Sequence, residues 1–210
     1  MNKRIILPIL IACILLLCCS CSLPLVGDIF ENDKSLGKTN NTAVTISEAM
    51  TDYLTKKNKE NYLLHGIELT LNSDSNGVVK LYYSSTSADQ AEYSDIYIAE
   101  INSKTGYVER FDKAVYSKDG IEPYQLVKTT DAFDGASMPI DSGKAMSAGV
   151  RAFSGEAEFH YDYVSMLLTS SGGIEQYSIQ FISMLNDKKY NCIVDAVSGA
   201  VLSALVEPLK

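Results

Sequence analysis

Few residues of this 210-residue chain have the types and spacing that catalysis or metal binding requires. Ser35-Leu-Gly-Lys38 reads S-x-x-K and Lys104-Thr-Gly106 reads K-T-G, two sequence elements of enzymes that transfer acyl groups through a serine. The third such element, S-D-N, is absent. Ser35 lies in a polar stretch that predicts a tether, which cannot hold a nucleophile rigidly, and Lys104 lies in a predicted hairpin turn. The two histidines, His65 and His160, are too few for a zinc site, which needs three or four convergent ligands. We therefore expect no enzyme activity, no metal site and no cofactor.

The N-terminus predicts chemistry of another kind, the covalent attachment of lipid. Two basic residues precede an apolar run, Ile5–Leu17, which is short for a bilayer span and typical of a secretory signal peptide. The segment 15–21, Leu-Leu-Leu-Cys-Cys-Ser-Cys, resembles a bacterial lipobox, in which a small residue before a cysteine permits cleavage and acylation of that cysteine. A serine precedes Cys21, which is therefore the predicted lipidation site. Cys19 is the rival site, and an unlipidated secreted protein is the alternative.

Cleavage before Cys21 would divide the chain into a signal peptide (1–20), a polar tether (21–44) and a folded part. The formal net charge of −8 becomes −10, because two basic residues leave with the signal peptide. A nucleic-acid partner needs basic patches, so this charge argues against one. Cys192 is the one cysteine beyond the N-terminal segment, which excludes a disulfide framework. The predicted location is the outer face of the cell membrane, reached through the lipid anchor.

Two stretches predict tight β-hairpins, Asn102-Ser-Lys-Thr-Gly106 and Asp195-Ala-Val-Ser-Gly199. An Asn or Asp side chain accepts hydrogen bonds from the backbone N–H groups just ahead of it, and glycine adopts positive φ without strain. The residues that we expect to shape these turns are Asn102, Thr105, Gly106, Asp195, Ser198 and Gly199.

A helix followed by four strands is predicted twice along the chain. The first unit covers residues 45–111 and the second covers 140–210. Residues 112–139, rich in glycine and proline, predict a linker in which Tyr124–Lys128 forms one short strand. The predicted fold class is α+β, with two repeated units, each one helix packed on an antiparallel β-meander sheet. Convergence on one element order is the alternative to duplication.

Both units resemble PepSY-type modules, in which a helix and antiparallel strands end in an Asp-x-x-Ser/Thr-Gly-x-Val hairpin. Asp195, Ser198 and Gly199 match that ending, and the first unit matches it with Asn102 in place of the aspartate. The resemblance implies a protein without catalytic residues that modulates or inhibits a peptidase of the cell envelope.

Two function classes follow from these patterns. The first is a membrane-anchored interaction module whose partner is an envelope protein, either a peptidase or an assembly factor. The alternative is a lipoprotein that captures a small solute. The chain holds 13 tyrosines, most of which we expect to pack in the sheet, although a tyrosine-lined sheet face would also suit binding.

Overall fold

Four helices and eight strands make up the described part of the protein, for which a computed structural model describes residues 43–58, 62–72, 76–85, 96–133 and 140–209. The helices are α1 (Ala43–Asn58), α2 (Tyr116–Asp119), α3 (Glu122–Thr129) and α4 (Ser142–Ala152). The strands are β1 (Tyr62–Asn72), β2 (Gly77–Ser85), β3 (Ile96–Asn102), β4 (Val108–Lys113), β5 (Tyr163–Ser171), β6 (Ile174–Ser183), β7 (Lys188–Asp195) and β8 (Val201–Pro208).

All eight strands belong to one antiparallel sheet, in the order β4-β3-β2-β1-β5-β6-β7-β8. Successive side chains of a strand point to opposite faces, so strict alternation of apolar and polar residues buries one face. β6 shows this alternation clearly, with Tyr177, Ile179 and Phe181 buried and the residues between them at least partly exposed. We call the buried side the core face and the opposite side the back face.

Helices α1 and α4 cover the core face. α1 contributes Ile46, Met50 and Leu54, which are spaced at four-residue intervals and are almost completely buried. α4 approaches the sheet closely at Gly149, where an added Cβ would lie 3.0 Å from Cys192 Sγ. The residues under both helices form one continuous hydrophobic cluster.

The predicted fold class, two repeated units with a sheet each, is wrong. β1 pairs with β5 from Gly66↔Thr169 to Asn72↔Tyr163, so the first strands of the two halves lie side by side in one sheet. An unpaired edge strand leaves its outward N–H and C=O groups without protein partners. Pairing β1 with β5 satisfies these groups, and α1 and α4 then share one core.

The prediction of a strand at Tyr124–Lys128 is also wrong, because these residues belong to α3. Pro123 lies in the first helical turn, where its fixed φ favours a helix and its missing N–H costs nothing. Tyr124 and Val127, one turn apart, are buried against the back face. There they contact an apolar cluster that includes Tyr82, Ile96 and Ile98. Much of the stretch predicted as a linker is therefore ordered on the sheet.

Candidate functional site

The back face of the sheet is covered over its first half and uncovered over its second. α3 packs on β1, β2 and β3, whereas none of the described helices packs on the back face of β5–β8. We call this uncovered area the open face. Its side chains line a shallow groove of about 450 Å³. Eight of the residues that line the groove have their side chains on the open face: Ser165, Leu167, Ser178, Gln180, Asn191, Ile193, Ser203 and Leu205.

The open face mixes apolar side chains with hydrogen-bonding groups and carries no charged residue among those eight. Leu205 is 57% exposed. The amides beside it are held in place: Gln180 Nε2 donates to Asn191 Oδ1 at 2.9 Å, and Asn191 Nδ2 donates to Glu207 Oε2 at 2.9 Å. An ordered groove without charged side chains is suited to a polypeptide rather than to a highly charged ligand.

The other half of the back face satisfies its own charges. Glu68, Lys80, Glu100 and Arg110 are successive cross-strand partners from β1 to β4, so charges alternate across four strands. Opposite charges in such positions stabilise a sheet. The charged side chains of this half are therefore already paired within the sheet, which makes it a poor candidate for a binding surface.

Arg110, at the end of that row, also forms a bidentate ion pair with Asp119 of α2. Arg110 Nη1 and Nη2 donate to the two carboxylate oxygens of Asp119 at 2.7 and 2.8 Å. These hydrogen bonds lower the pKa of Asp119 to about 2 and raise that of Arg110. The pair holds α2 beside the edge strand β4.

The open face ends at β8, an edge strand of unusual composition. Between Val201 and Val206 it has no charged residue, and Val201, Leu202 and Leu205 are 38%, 57% and 57% exposed. The opposite edge strand, β4, carries Glu109, Arg110, Asp112 and Lys113. Charged side chains are the usual protection of an edge strand against pairing with another chain. The segment Val201–Val206 of β8 lacks this protection, which begins only at Glu207 and Pro208.

The residues predicted to shape the turns lie in two hairpins near opposite edges of the sheet. Asp195 Oδ1 accepts from the N–H groups of Val197 at 3.1 Å and Ser198 at 2.6 Å, and it also accepts from the Ser198 hydroxyl. The hydrogen bonds from Ser198 lower the pKa of Asp195. Gly199 follows with φ of 74°.

The β3–β4 hairpin repeats this geometry. Asn102 Oδ1 accepts from the N–H groups of Lys104 at 3.1 Å and Thr105 at 3.0 Å, and Gly106 has φ of 69°. The two turns connect β3 to β4 and β7 to β8, so the sheet does not bring them together into one site. Their role is to reverse the chain.

Gly199→Val is expected to lower the free energy of unfolding by about 1 kcal/mol or more. A β-branched residue resists the φ of 74°, and an added Cβ would lie 3.3 Å from Ile140 Cδ1. Urea denaturation of both proteins measures the loss. Gly155→Val is the matched control, because an added Cβ there has open space and its φ is not in the left-handed region. Equal losses in the two variants would contradict the assigned turn.

His65 makes a buried contact that the sequence does not reveal. Its Nε2 lies 2.9 Å from Ser84 Oγ, and its Nδ1 lies 3.2 Å from the Thr130 carbonyl oxygen. The carbonyl requires a proton on Nδ1, so Nε2 accepts from the serine hydroxyl, which is the arrangement of a nucleophile and its base. Ser84 and His65 are only 5% and 9% exposed, however, so the hydroxyl is not presented to a substrate. The pair instead ties β1 to β2 and to the end of α3.

The stability of the protein is expected to fall as the pH drops below about 6.5, because burial lowers the pKa of His65. The folded state favours the neutral ring, so its contribution is present above the unfolded pKa and is lost progressively as the pH falls toward the lowered folded pKa. Urea denaturation between pH 7.5 and 5 measures this loss. His65→Gln should reduce the pH dependence, whereas His160→Gln, at an exposed histidine, should retain it. Identical slopes in wild type and His65→Gln would contradict the assignment.

No group of three or more His, Cys, Asp or Glu residues that could hold a metal ion occurs in the described ranges. His65 and His160 do not share a site: His160 is exposed and lies 3.3 Å from Asp162. Burial raises the pKa of Cys192 to about 11, which keeps its thiol protonated. The predicted lipidation site at Cys21 and its rival Cys19 lie outside the described residues. None of the helices in the described ranges is long and apolar enough to cross a membrane.

Comparisons with known proteins place few constraints on the chain. No protein-family model matches it, and no curated protein matches it. A similar solved structure is that of a candidate lipoprotein from Clostridium difficile 630, with a TM-score of 0.49 and 14% sequence identity. That match covers 77% of this chain and 92% of the other. At this level of similarity, no inference about function rests on it.

Proposed function

We propose that this protein is a lipid-anchored, extracytoplasmic interaction module that binds another protein through its open face and performs no catalysis. The observation that carries the proposal is the uncovered half of the back face, which ends at the uncharged, exposed segment Val201–Val206 of β8. In the first half of the sheet the corresponding apolar surface is covered by α3. In the second half, Leu205 and its neighbours are available to a partner.

The shape of the open face favours a polypeptide over a small solute. Small-molecule sites are usually concave pockets that bury most of the ligand's surface. The groove on the open face is shallow and spans four neighbouring strands, from Leu167 on β5 to Leu205 on β8. Such a surface can contact several residues of a partner at once.

The proposed partner is an envelope protein, either a peptidase or an assembly factor. This narrower proposal depends on the resemblance of the two hairpins to the ending of PepSY-type modules. Anchoring through Cys21 would keep the protein at the outer face of the cell membrane, where such partners act. We expect the protein to inhibit a peptidase rather than to take part in its catalysis.

Photocrosslinking in intact cells tests the binding surface. A benzophenone amino acid is placed at Ser178, which is exposed on the open face, and in a second strain at Ser147, which is exposed on α4. We expect one envelope protein to be captured from Ser178 and not from Ser147. Capture from both positions alike, or from neither, would contradict the proposed surface.

Purified components then test the contact itself. Ser178→Arg introduces a long charged side chain into the groove and should weaken binding of the captured partner at least tenfold, with Ser147→Arg as the control. A large thermal stabilisation by one amino acid or sugar without any protein partner would favour solute capture instead. Turnover of an ester or peptide substrate that is lost in Ser84→Ala would show an enzyme.

A further inference from the structure

We infer that β8 is a dimerisation strand, through which two copies of this chain pair antiparallel and edge to edge. This inference concerns the outer edge of β8 and goes beyond the proposed binding at the open face. The outer side of β8 has no strand partner within the described residues, because β8 ends the sheet. Its outward backbone N–H and C=O groups are therefore available for another strand.

The composition of β8 favours pairing rather than preventing it. Within β8 the six residues Val201–Val206 contain no charge and no proline, and a run of six or seven uncharged residues with high β-propensity is typical of strands that add to other sheets. The other edge strand shows the contrast, since β4 is protected by Glu109, Arg110 and Asp112. Pro208 at the end of β8 lacks an N–H group and limits the length of the paired stretch.

The charges around β8 favour a second copy as the occupant. The chain is acidic, with a net charge of −8, so two copies repel each other over most surfaces. An antiparallel pair centred on Ser203 or Ala204 brings uncharged segments together. Glu207 of each copy then lies opposite positions 199–201 of the other copy, away from the second Glu207. No like charges meet across the strands.

Pairing would also enlarge the binding surface. Residues directly opposite each other in an antiparallel pair lie on the same face. The back face of one copy, with Ser203 and Leu205, would continue into the back face of the other. The two open faces would form one surface of twice the width, carried by a sixteen-stranded sheet, twice the eight strands of one copy.

The dimer is expected on the membrane rather than in dilute solution. A single pair of edge strands buries less than the roughly 1,200 Å² typical of stable interfaces. Two copies anchored in the same bilayer have a high effective concentration, which compensates for a small contact. The test therefore uses the full chain in intact cells.

Disulfide crosslinking of Ser203→Cys and Ala204→Cys measures the pairing. A residue on the two-fold axis faces its own copy at about 4.5–5.5 Å between Cα atoms, within the range of a disulfide. Glu207→Cys is the control on the same strand, because the two copies of position 207 would be about 20 Å apart or more. Asp112→Cys is the control on the other edge. We expect at least tenfold more crosslinked dimer from position 203 or 204 than from either control.

A second variant distinguishes crosslinks that form through strand pairing from crosslinks that form by chance collision. Leu205→Lys adds a charge to the exposed edge and should abolish the crosslink when combined with Ser203→Cys, while its melting temperature stays close to that of the unsubstituted protein. Equal crosslinking at positions 203, 204 and 207 would overturn the inference. A disulfide from position 203 to a different protein would overturn it in favour of strand addition by that protein.

Discussion

Phe181→Ala is expected to lower the free energy of unfolding by about 3–5 kcal/mol, the range found when a buried phenylalanine is truncated. Phe181 is 0% exposed and belongs to an aromatic cluster under α4. Its ring centroid is 5.1 Å from that of Tyr161 and 5.6 Å from that of Phe159. Removing the ring leaves a cavity that the surrounding rings and the close helix at Gly149 cannot fill.

Urea denaturation followed by circular dichroism measures this loss, since the chain has no tryptophan to report by fluorescence. Tyr163→Ala is the matched control, because it removes an aromatic ring that is 49% exposed on the neighbouring strand β5. We expect the control to lose far less stability than Phe181→Ala. Similar losses in the two variants would show that the cluster does not form the core.

The sequence predicts the strands of the second half well, because their periodicity is local. Val164, Met166 and Leu168 alternate with less buried residues, and such alternation specifies a half-buried strand without knowledge of the rest of the chain. The hairpin turns are readable for the same reason. Asp195 and Gly199 act on their own neighbours within a few residues.

The sheet that these strands form is not readable from local patterns. The pairing of Gly66–Asn72 with Tyr163–Thr169 joins segments about 100 residues apart. The local sequence of neither segment specifies the strand with which it pairs. Local pattern does not predict α3, because the five residues Tyr124–Lys128 suit a strand and a helix alike. What decides between them is the packing of Tyr124 and Val127 on Tyr82, a tertiary contact.

The candidate site depends on tertiary structure even more strongly. Several tyrosines pack in the sheet as expected: Tyr83, Tyr177 and Tyr190 are 0%, 1% and 0% exposed. The open face is instead lined by serine, amide and aliphatic side chains that look unremarkable in the sequence. What makes it a candidate is that no described helix covers it. The signal that a sequence could offer is the uncharged run that ends in β8.

Cys21→Ser is expected to abolish attachment of lipid to the protein. The serine before Cys21 fits the small position that lipobox cleavage requires, and acylation needs the cysteine thiol. Two or more acyl chains hold a protein firmly on a bilayer, whereas one chain binds only marginally. Because the acyl chains would all be attached at Cys21, the anchor depends on this one residue. Metabolic labelling with a fatty-acid analogue measures attachment directly. The unsubstituted protein should be labelled and the variant should carry no label.

Two other cysteine variants show whether the right residue has been assigned. Cys192→Ser changes a buried thiol in the folded part and should keep full labelling. Cys19→Ser should also keep it, because Cys19 would leave with the signal peptide when the chain is cleaved before Cys21. Label that persists in Cys21→Ser and disappears in Cys19→Ser would move the anchor to Cys19. Absence of label from the unsubstituted protein would remove the lipid anchor from the proposed function and leave binding at the open face to be tested on its own.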